Sequence, residues 1–354
     1  MQDLHRNIIF FVFVSLWSAM ASAYDMELQM SICTKNGPSI LDQETKADQI
    51  WDRVIDGLQA QGLDIDTGVM SAGNQVHYDT ADFDFYKNGV ALKTKYTVSQ
   101  THNAAVVSVV KIINGSDQAP VALAHRINEK VGHLSINAEY DVNPPFLRSL
   151  AGTSSSERNQ VLQTRFQTSM ESSFAFMPYD FFTKPRSIPT IQELCAQDHA
   201  NTCPFGLGQK VMINAFADMK RIPFVPLALP QRNTSDDNNG ASAQHASQDQ
   251  RKALIAVGVL KFSKYKWRFS HETNLPRFEV HLEKWTRIDT GQDSFVELSI
   301  KASAVPNQVP MTAYEKWLTA KIAQSDLTVC KTKPSMVEFL QHPTASGLIA
   351  EIKK

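Results

Sequence analysis

Val76–Tyr96, VHYDTADFDFYKNGVALKTKY, is the stretch on which the reading of this chain turns. It predicts a strand, a tight turn, a short helical or looped link, and a second strand carrying Lys93 and Lys95. Side chains two positions apart on a strand point to the same face, about 6.5–7 Å apart. Lys93 and Lys95 therefore present two cations at about the spacing of oxygens on neighbouring phosphates.

Working outward, the other predicted strands share one feature: an apolar face alternates with a face loaded with ionisable or polar groups. Glu27, Gln29 and Ser31 alternate with Leu28, Met30 and Ile32. Lys111 ends the apolar strand 105–110, and Glu139 and Asp141 alternate with Ala138 and Tyr140. Lys264, Lys266 and Arg268 alternate with Tyr265, Trp267 and Phe269, and Arg277, Glu279, His281 and Glu283 with Phe278, Val280 and Leu282. Glu297, Ser299 and Lys301 alternate with Val296, Leu298 and Ile300. An antiparallel sheet with one face in water has this pattern. So does a closed sheet whose charged faces turn inward around a polar tunnel. Alternation alone does not separate the two.

The remaining organisation is coarse. An amphipathic helix is expected over 45–61, with Ile50, Trp51, Val54, Ile55 and Leu58 on one stripe, and another over 310–324. A polar helix is expected over 155–173, and a short one beyond a Ser335 cap to Gln341. Residues 180–230 are rich in proline and aromatics, and 231–250 are almost wholly polar without periodicity.

Residues 1–23 read as a cleaved leader: Arg6, an apolar run from Ile8 to Trp17, and Ala21-Ser22-Ala23. Cleavage leaves 354 − 23 = 331 residues with no later membrane-length apolar run, so an exported, periplasmic or secreted protein is expected. Asn114 and Asn233 head glycosylation sequons that would count only in a eukaryote. Four cysteines in an oxidising compartment favour disulfides, with three pairings open. Cys195 with Cys203 would close a local loop, and Cys33 with Cys330 would then join the two ends of the fold. Lys and Arg number 35 against 36 for Asp and Glu, so a broad nucleic-acid surface is disfavoured.

The 76–96 segment resembles the Y-[FY]-D-T-x-[DE]…G…L-[RK]-x-[RK] signature of CYTH-like proteins, also called triphosphate tunnel metalloenzymes. The resemblance implies an α+β fold: a closed antiparallel eight-stranded β-barrel, or tunnel, with flanking helices and a large insert. It continues in order along 24–145 and 253–302. Glu27 keeps the first acid of an opening E-x-E-x-K, and Ala138-Glu139-Tyr140-Asp141 is similar to an R-x-E-x-E strand. Lys264 stands near a later arginine and Glu283 near an aspartate. Phe295–Lys301 is similar to a closing F-x-E-[LI]-E-x-[EK] strand. The implied division is a leader at 1–23, barrel at 24–150, insert at 151–252, barrel at 253–305 and C-terminal helices at 306–354.

By the same resemblance, Lys93, Lys95, Lys111 and Lys264 grip phosphates, while Glu27, Glu139, Asp141 and Glu297 hold Mg²⁺ or Mn²⁺. The ligand implied is an anionic, phosphate-containing small molecule, and a water would attack its terminal phosphate. Gln29 and Ser299 stand where the family has acids, and Ser31 where it has lysine. That departure leaves a second expectation: a catalytically inactive relative binding a polyanion, or a protein partner through the insert. No histidine pair has metal-ligand spacing, and His77 and His281 read as strand-facing polar residues.

Overall fold

One carboxylate builds the turn after the first strand of the decisive stretch. Asp79 accepts hydrogen bonds from the backbone N–H groups of Thr80 (2.7 Å), Phe85 (3.0 Å) and Tyr86 (2.9 Å). Thr80 Oγ1 accepts from the Asp84 N–H at 3.0 Å and donates to the Asp84 carboxylate at 2.7 Å. These bonds fasten a single helical turn, and Gly89, at φ 81°, leads into the lysine-bearing strand. The Asp-Thr pair of the signature is therefore a structural fastening. Burial pushes the Asp79 carboxyl up to about 6, against the pull of its three backbone donors.

The computed structural model describes residues 25–34, 44–60, 69–99, 104–113, 126–127, 129, 135–142, 166–174, 190–196, 203–229, 251–269, 275–276, 278–288, 294–303, 311–323, 327–329 and 336–341. The strands are β1 (Asp25–Thr34), β2 (Val69–Asp79), β3 (Val90–Ser99), β4 (Ala104–Ile113), β5 (Ser135–Val142), β6 (Phe166–Phe174), β7 (Ile255–Phe269), β8 (Phe278–Arg287), β9 (Ser294–Ser303) and β10 (Leu327–Val329). The helices are α1 (Glu44–Gln59), α2 (Asp84–Lys87), α3 (Ile191–Ala196), α4 (Leu207–Lys220), α5 (Met311–Ile322) and α6 (Met336–Gln341). None of the described helices is long and apolar enough to cross a membrane.

The strands form one sheet in the order β10-β1-β5-β6-β4-β3-β2-β7-β8-β9, with a further β1–β9 pairing. The architecture is α+β and largely antiparallel, as expected. The count is ten strands, not eight, and β1–β5 is parallel.

Two apolar cores lie on the same side of the strands. Leu28, Met30 and Ile32 of β1, with Val296, Leu298 and Ile300 of β9, pack under Ala47, Ile50, Trp51 and Val54 of α1 and Tyr314 and Leu318 of α5. The stripe expected on α1 is the one buried. Val76, Tyr78, Leu92, Val106 and Val110 pack under Met212, Ile213 and Phe216 of α4. Phe205 meets Tyr78 edge-on at 5.4 Å, and Gln209 donates to the Ser108 carbonyl at 2.7 Å. The Cys195–Cys203 disulfide joins α3 to the approach to α4. Cys33 sits opposite Thr328 across the β1–β10 ladder, while residue 330 lies outside the described residues.

Two other expectations change. Of the helix expected over 155–173, residues 166–173 belong to strand β6, which sits between β4 and β5 in the sheet, and 155–165 lie outside the described residues. Gln167, Thr168, Ser169, Ser172 and Ser173 spread polar residues over both faces, which erases the strand period in the sequence. The proline- and aromatic-rich segment holds α4, a 14-residue helix whose buried residues include Met212, Ile213, Phe216 and Ala217. Residues 1–23, expected as a leader, and residues 231–250 lie outside the described residues.

Replacing Asp79 by Ala would strand three backbone donors, Thr80 being buried and Phe85 fully so. The expected loss is about 1–3 kcal/mol in urea unfolding. An unchanged midpoint would remove Asp79 as the fastening of this turn.

Candidate functional site

Residues paired across a ladder share a face, so the register shows which side chains stand together. From β1 to β9, Glu27 faces Lys301, Gln29 faces Ser299 and Ser31 faces Glu297. From β9 to β8, these continue to Glu279, His281 and Glu283. From β8 to β7, they continue to Arg268, Lys266 and Lys264. His77 and Gln75 of β2 face Lys93 and Lys95 of β3, and Ala91 of β3 faces Lys111 of β4. Lys111 pairs with Ser169 of β6, Gln167 of β6 with Glu139 of β5, and Asp141 with Glu27. Every expected site residue thus occupies a register position on one continuous face. For Glu139 and Asp141 only the backbone position is described.

Much of that face is out of water. Glu27 is 7% exposed, Glu297 4%, His281 4%, His77 3% and Gln75 1%. The helices cover the opposite face, so both faces of these strands are buried.

The buried charges are held by short contacts. Lys264 Nζ donates to Glu283 at 2.6 Å and to His281 Nδ1 at 3.0 Å. The other ring nitrogen, Nε2, donates to Glu279 at 3.2 Å, and Glu279 also accepts from Lys266 at 2.8 Å and Arg268 at 2.9 Å. Glu27 accepts from Ser299 at 3.1 Å and lies 3.3 Å from Lys301. Lys95 stands 4.3 Å above the Phe262 ring. Burial alone would raise the Glu283 carboxyl, but Lys264 and Lys95 outweigh it and hold the group below the usual range. Burial likewise opposes charge on Glu279, yet hydrogen bonds from Lys266, Arg268 and His281 bring it to about 2. Burial and the Lys264 charge lower His281 to about 4.

The two ends of the face differ. At one end the Arg268 side chain is 63% exposed, while Lys264 and Glu283, further in, are at 18% and 12%. At the other end α6 lies against residues of the ionisable face. Phe339 packs edge-on against Phe295 at 4.9 Å, and its carbonyl accepts from Arg287 at 3.1 Å. A Cβ on Gly258 would lie 2.5 Å from Leu340 Cδ2, so glycine makes room for the helix.

The register also separates residues that the sequence grouped. Glu27 and Glu297 lie four residues apart along the β1–β9 ladder, about 13 Å. Gln29 and Ser299 face each other between them. Glu297 directly faces Glu283 instead. Among the described residues, no three His, Cys, Asp or Glu side chains gather in metal-binding geometry. The Glu279–His281–Lys264–Glu283 chain of contacts was not foreseen. Its only trace in the sequence is the alternation of Glu279, His281 and Glu283 along β8.

No family model and no curated protein matches this chain. Solved structures that are similar to it include the following. A protein from Bacillus halodurans named as a candidate adenylate cyclase is 8% identical, with a TM-score of 0.39, over 89% of this chain and 97% of that one. A candidate adenylyl cyclase from Hippeastrum, described as having a dominant triphosphatase activity, is 8% identical at 0.37, over 89% and 98%. A protein from Pyrococcus horikoshii is 9% identical at 0.36, over 90% and 98%. Similarity at this level assigns neither an activity nor a ligand to this chain.

His281 binds its proton less readily folded, at about 4, than unfolded, at about 6.5. Its contribution is therefore complete above pH 6.5 and is lost as pH falls toward 4, by about 3 kcal/mol. Asp79, raised to about 6, acts in the opposite direction between about pH 4 and 6. That term is common to both proteins when wild type is compared with His281→Asn. Urea unfolding from pH 4.5 to 7 should be flatter for the variant; parallel curves would refute the assignment.

Proposed function

We propose that this chain holds a triphosphate or short polyphosphate within its ionisable face and hydrolyses it with Mg²⁺ or Mn²⁺. The observation that carries the reading is the burial of a face bearing both signs of charge. Scattered surface charges would stay in water; charges taken out of water at this density are held for a charged ligand. β1 pairs with β9 on one edge and β5 on the other, which supports a sheet wrapped around a tunnel.

Lys93, Lys95, Lys111 and Lys264 would offset phosphate charge from three adjoining regions of the face. Facing Glu297 and Glu283 form one carboxylate pair, and Glu27 with Asp141 occupies a second paired register position. Such sets fit a hard divalent cation, which takes one or two protein carboxylates and completes its shell with phosphate oxygens and water. Held by these carboxylates, the ion would supply positive charge that offsets the phosphate and eases attack by water. Lys95, near Glu283 and over Phe262, would orient the chain; Glu283 in turn holds Lys264 in place.

A second reading has its own support. Gln29 and Ser299 face each other where the resembled family has acids, which weakens one metal position while leaving the cations intact. On that reading the chain binds a phosphate chain without cleaving it.

Incubation with tripolyphosphate or nucleoside triphosphates plus Mn²⁺ or Mg²⁺ separates the two. Phosphate release that falls at least tenfold in both Lys95→Ala and Glu297→Ala is the expected result. Metal-independent thermal stabilisation by tripolyphosphate without release selects the binding protein. Neither release nor stabilisation refutes both.

Export is part of the proposal and rests on the leader at 1–23. Amino-terminal sequencing of protein recovered from a Gram-negative periplasm should begin at Tyr24. Retention in the cytoplasm with the leader intact would overturn it.

A further inference from the structure

Among the buried polar atoms without a hydrogen-bond partner in the described residues, Ser31 Oγ, His77 Nδ1 and Trp285 Nε1 lie on the ionisable face. Their residues are only 4%, 3% and 4% exposed. Native proteins rarely leave such atoms unsatisfied, and an exception calls for a ligand or an ordered water.

All three act as donors. An indole N–H only donates, and a serine hydroxyl can. The Gln75 amide reaches His77 Nε2 at 2.6 Å; with the amide donating, the ring proton sits on Nδ1. The strand directions place all three toward the α6 end. Ser31 faces Glu297, two residues from Phe295, and Phe295 faces Trp285. His77 faces Gly258, the residue against which Leu340 packs. That end therefore places neutral donors under a helix, beside the buried Arg287, while the Arg268 end is open.

We infer that Ser31, His77 and Trp285 form an uncharged donor subsite for the terminal phosphoryl oxygens of the ligand, at the end covered by α6. The inference rests on the phosphate-chain reading and adds a direction to it. The chain enters from the Arg268 end and stops against α6, so the site selects ligands with a free terminal phosphate. Neutral donors suit this task because phosphoryl oxygens accept hydrogen bonds readily.

Trp285→Phe keeps the packing against Phe262 and removes the N–H; Ser31→Ala removes only the hydroxyl. Titration calorimetry with tripolyphosphate should show about tenfold weaker binding in each variant. The unliganded melting temperature should hold or rise, because an unsatisfied buried donor is lost. Diadenosine triphosphate, capped at both ends, should bind wild type more weakly than tripolyphosphate, and Trp285→Phe should shrink that preference. Unchanged tripolyphosphate affinity in both variants would overturn the subsite while leaving the phosphate reading standing, since the donors would then serve water alone. A lower melting temperature with unchanged affinity would overturn it in favour of a purely structural role. Failure of the wild type to bind tripolyphosphate would sink the phosphate reading and this inference with it.

Discussion

Glu283 and Lys264 set the constraint on which the rest of the molecule depends. A carboxylate largely removed from water is stable as an anion only when cations stand within hydrogen-bonding reach. Lys264 supplies the closest, at 2.6 Å, and Lys95 adds its field from another strand. Those positions are reached from β7 and β3, separated in the sheet by β2. The register of several ladders must therefore be right together, because a slip by one residue sends a lysine to the apolar side and leaves the acid unpaired.

The same constraint explains the layering. With charged side chains on one face, the helices cover the apolar face. α1 and α5 take it over β1 and β9, and α4 takes it over β2, β3 and β4. The α4 region thus supplies a second core, which also takes in the Cys195–Cys203 disulfide. α6 departs from this pattern. It packs where the ionisable face turns aromatic, at Phe262, Trp285 and Phe295, and its backbone carbonyl meets the buried Arg287. An apolar helix end can lie on this face only where the strands have switched from charged to aromatic side chains.

The parts of the fold legible in the sequence were those governed by short-range rules. The turn at Asp79 could be read because a carboxylate placed to cap a following turn is a local device. The strands with strict alternation and the stripe on α1 could be read from their periods. β6 could not, because polar residues on both sides leave no period of two. α4 was hidden by the prolines and aromatics around it, and what buries it is contact with β2 to β4, far away in the chain. The site was legible as a set of residues but not as an arrangement. That Glu297 faces Glu283, and Gln29 faces Ser299, follows from which strands adjoin.

By itself the sequence determined that several strands each carry one apolar and one ionisable row, and that Lys93 and Lys95 share a face. Those are consequences of the two-residue repeat of an extended backbone, which any reader of the chain can count. Only the tertiary structure decided whether the ionisable rows lie in solvent or against one another. Burial is a property of neighbours, and neighbours in a sheet are chosen by pairing between segments tens to hundreds of residues apart. Ser299 donates to Glu27 across 272 positions, a contact no local pattern announces.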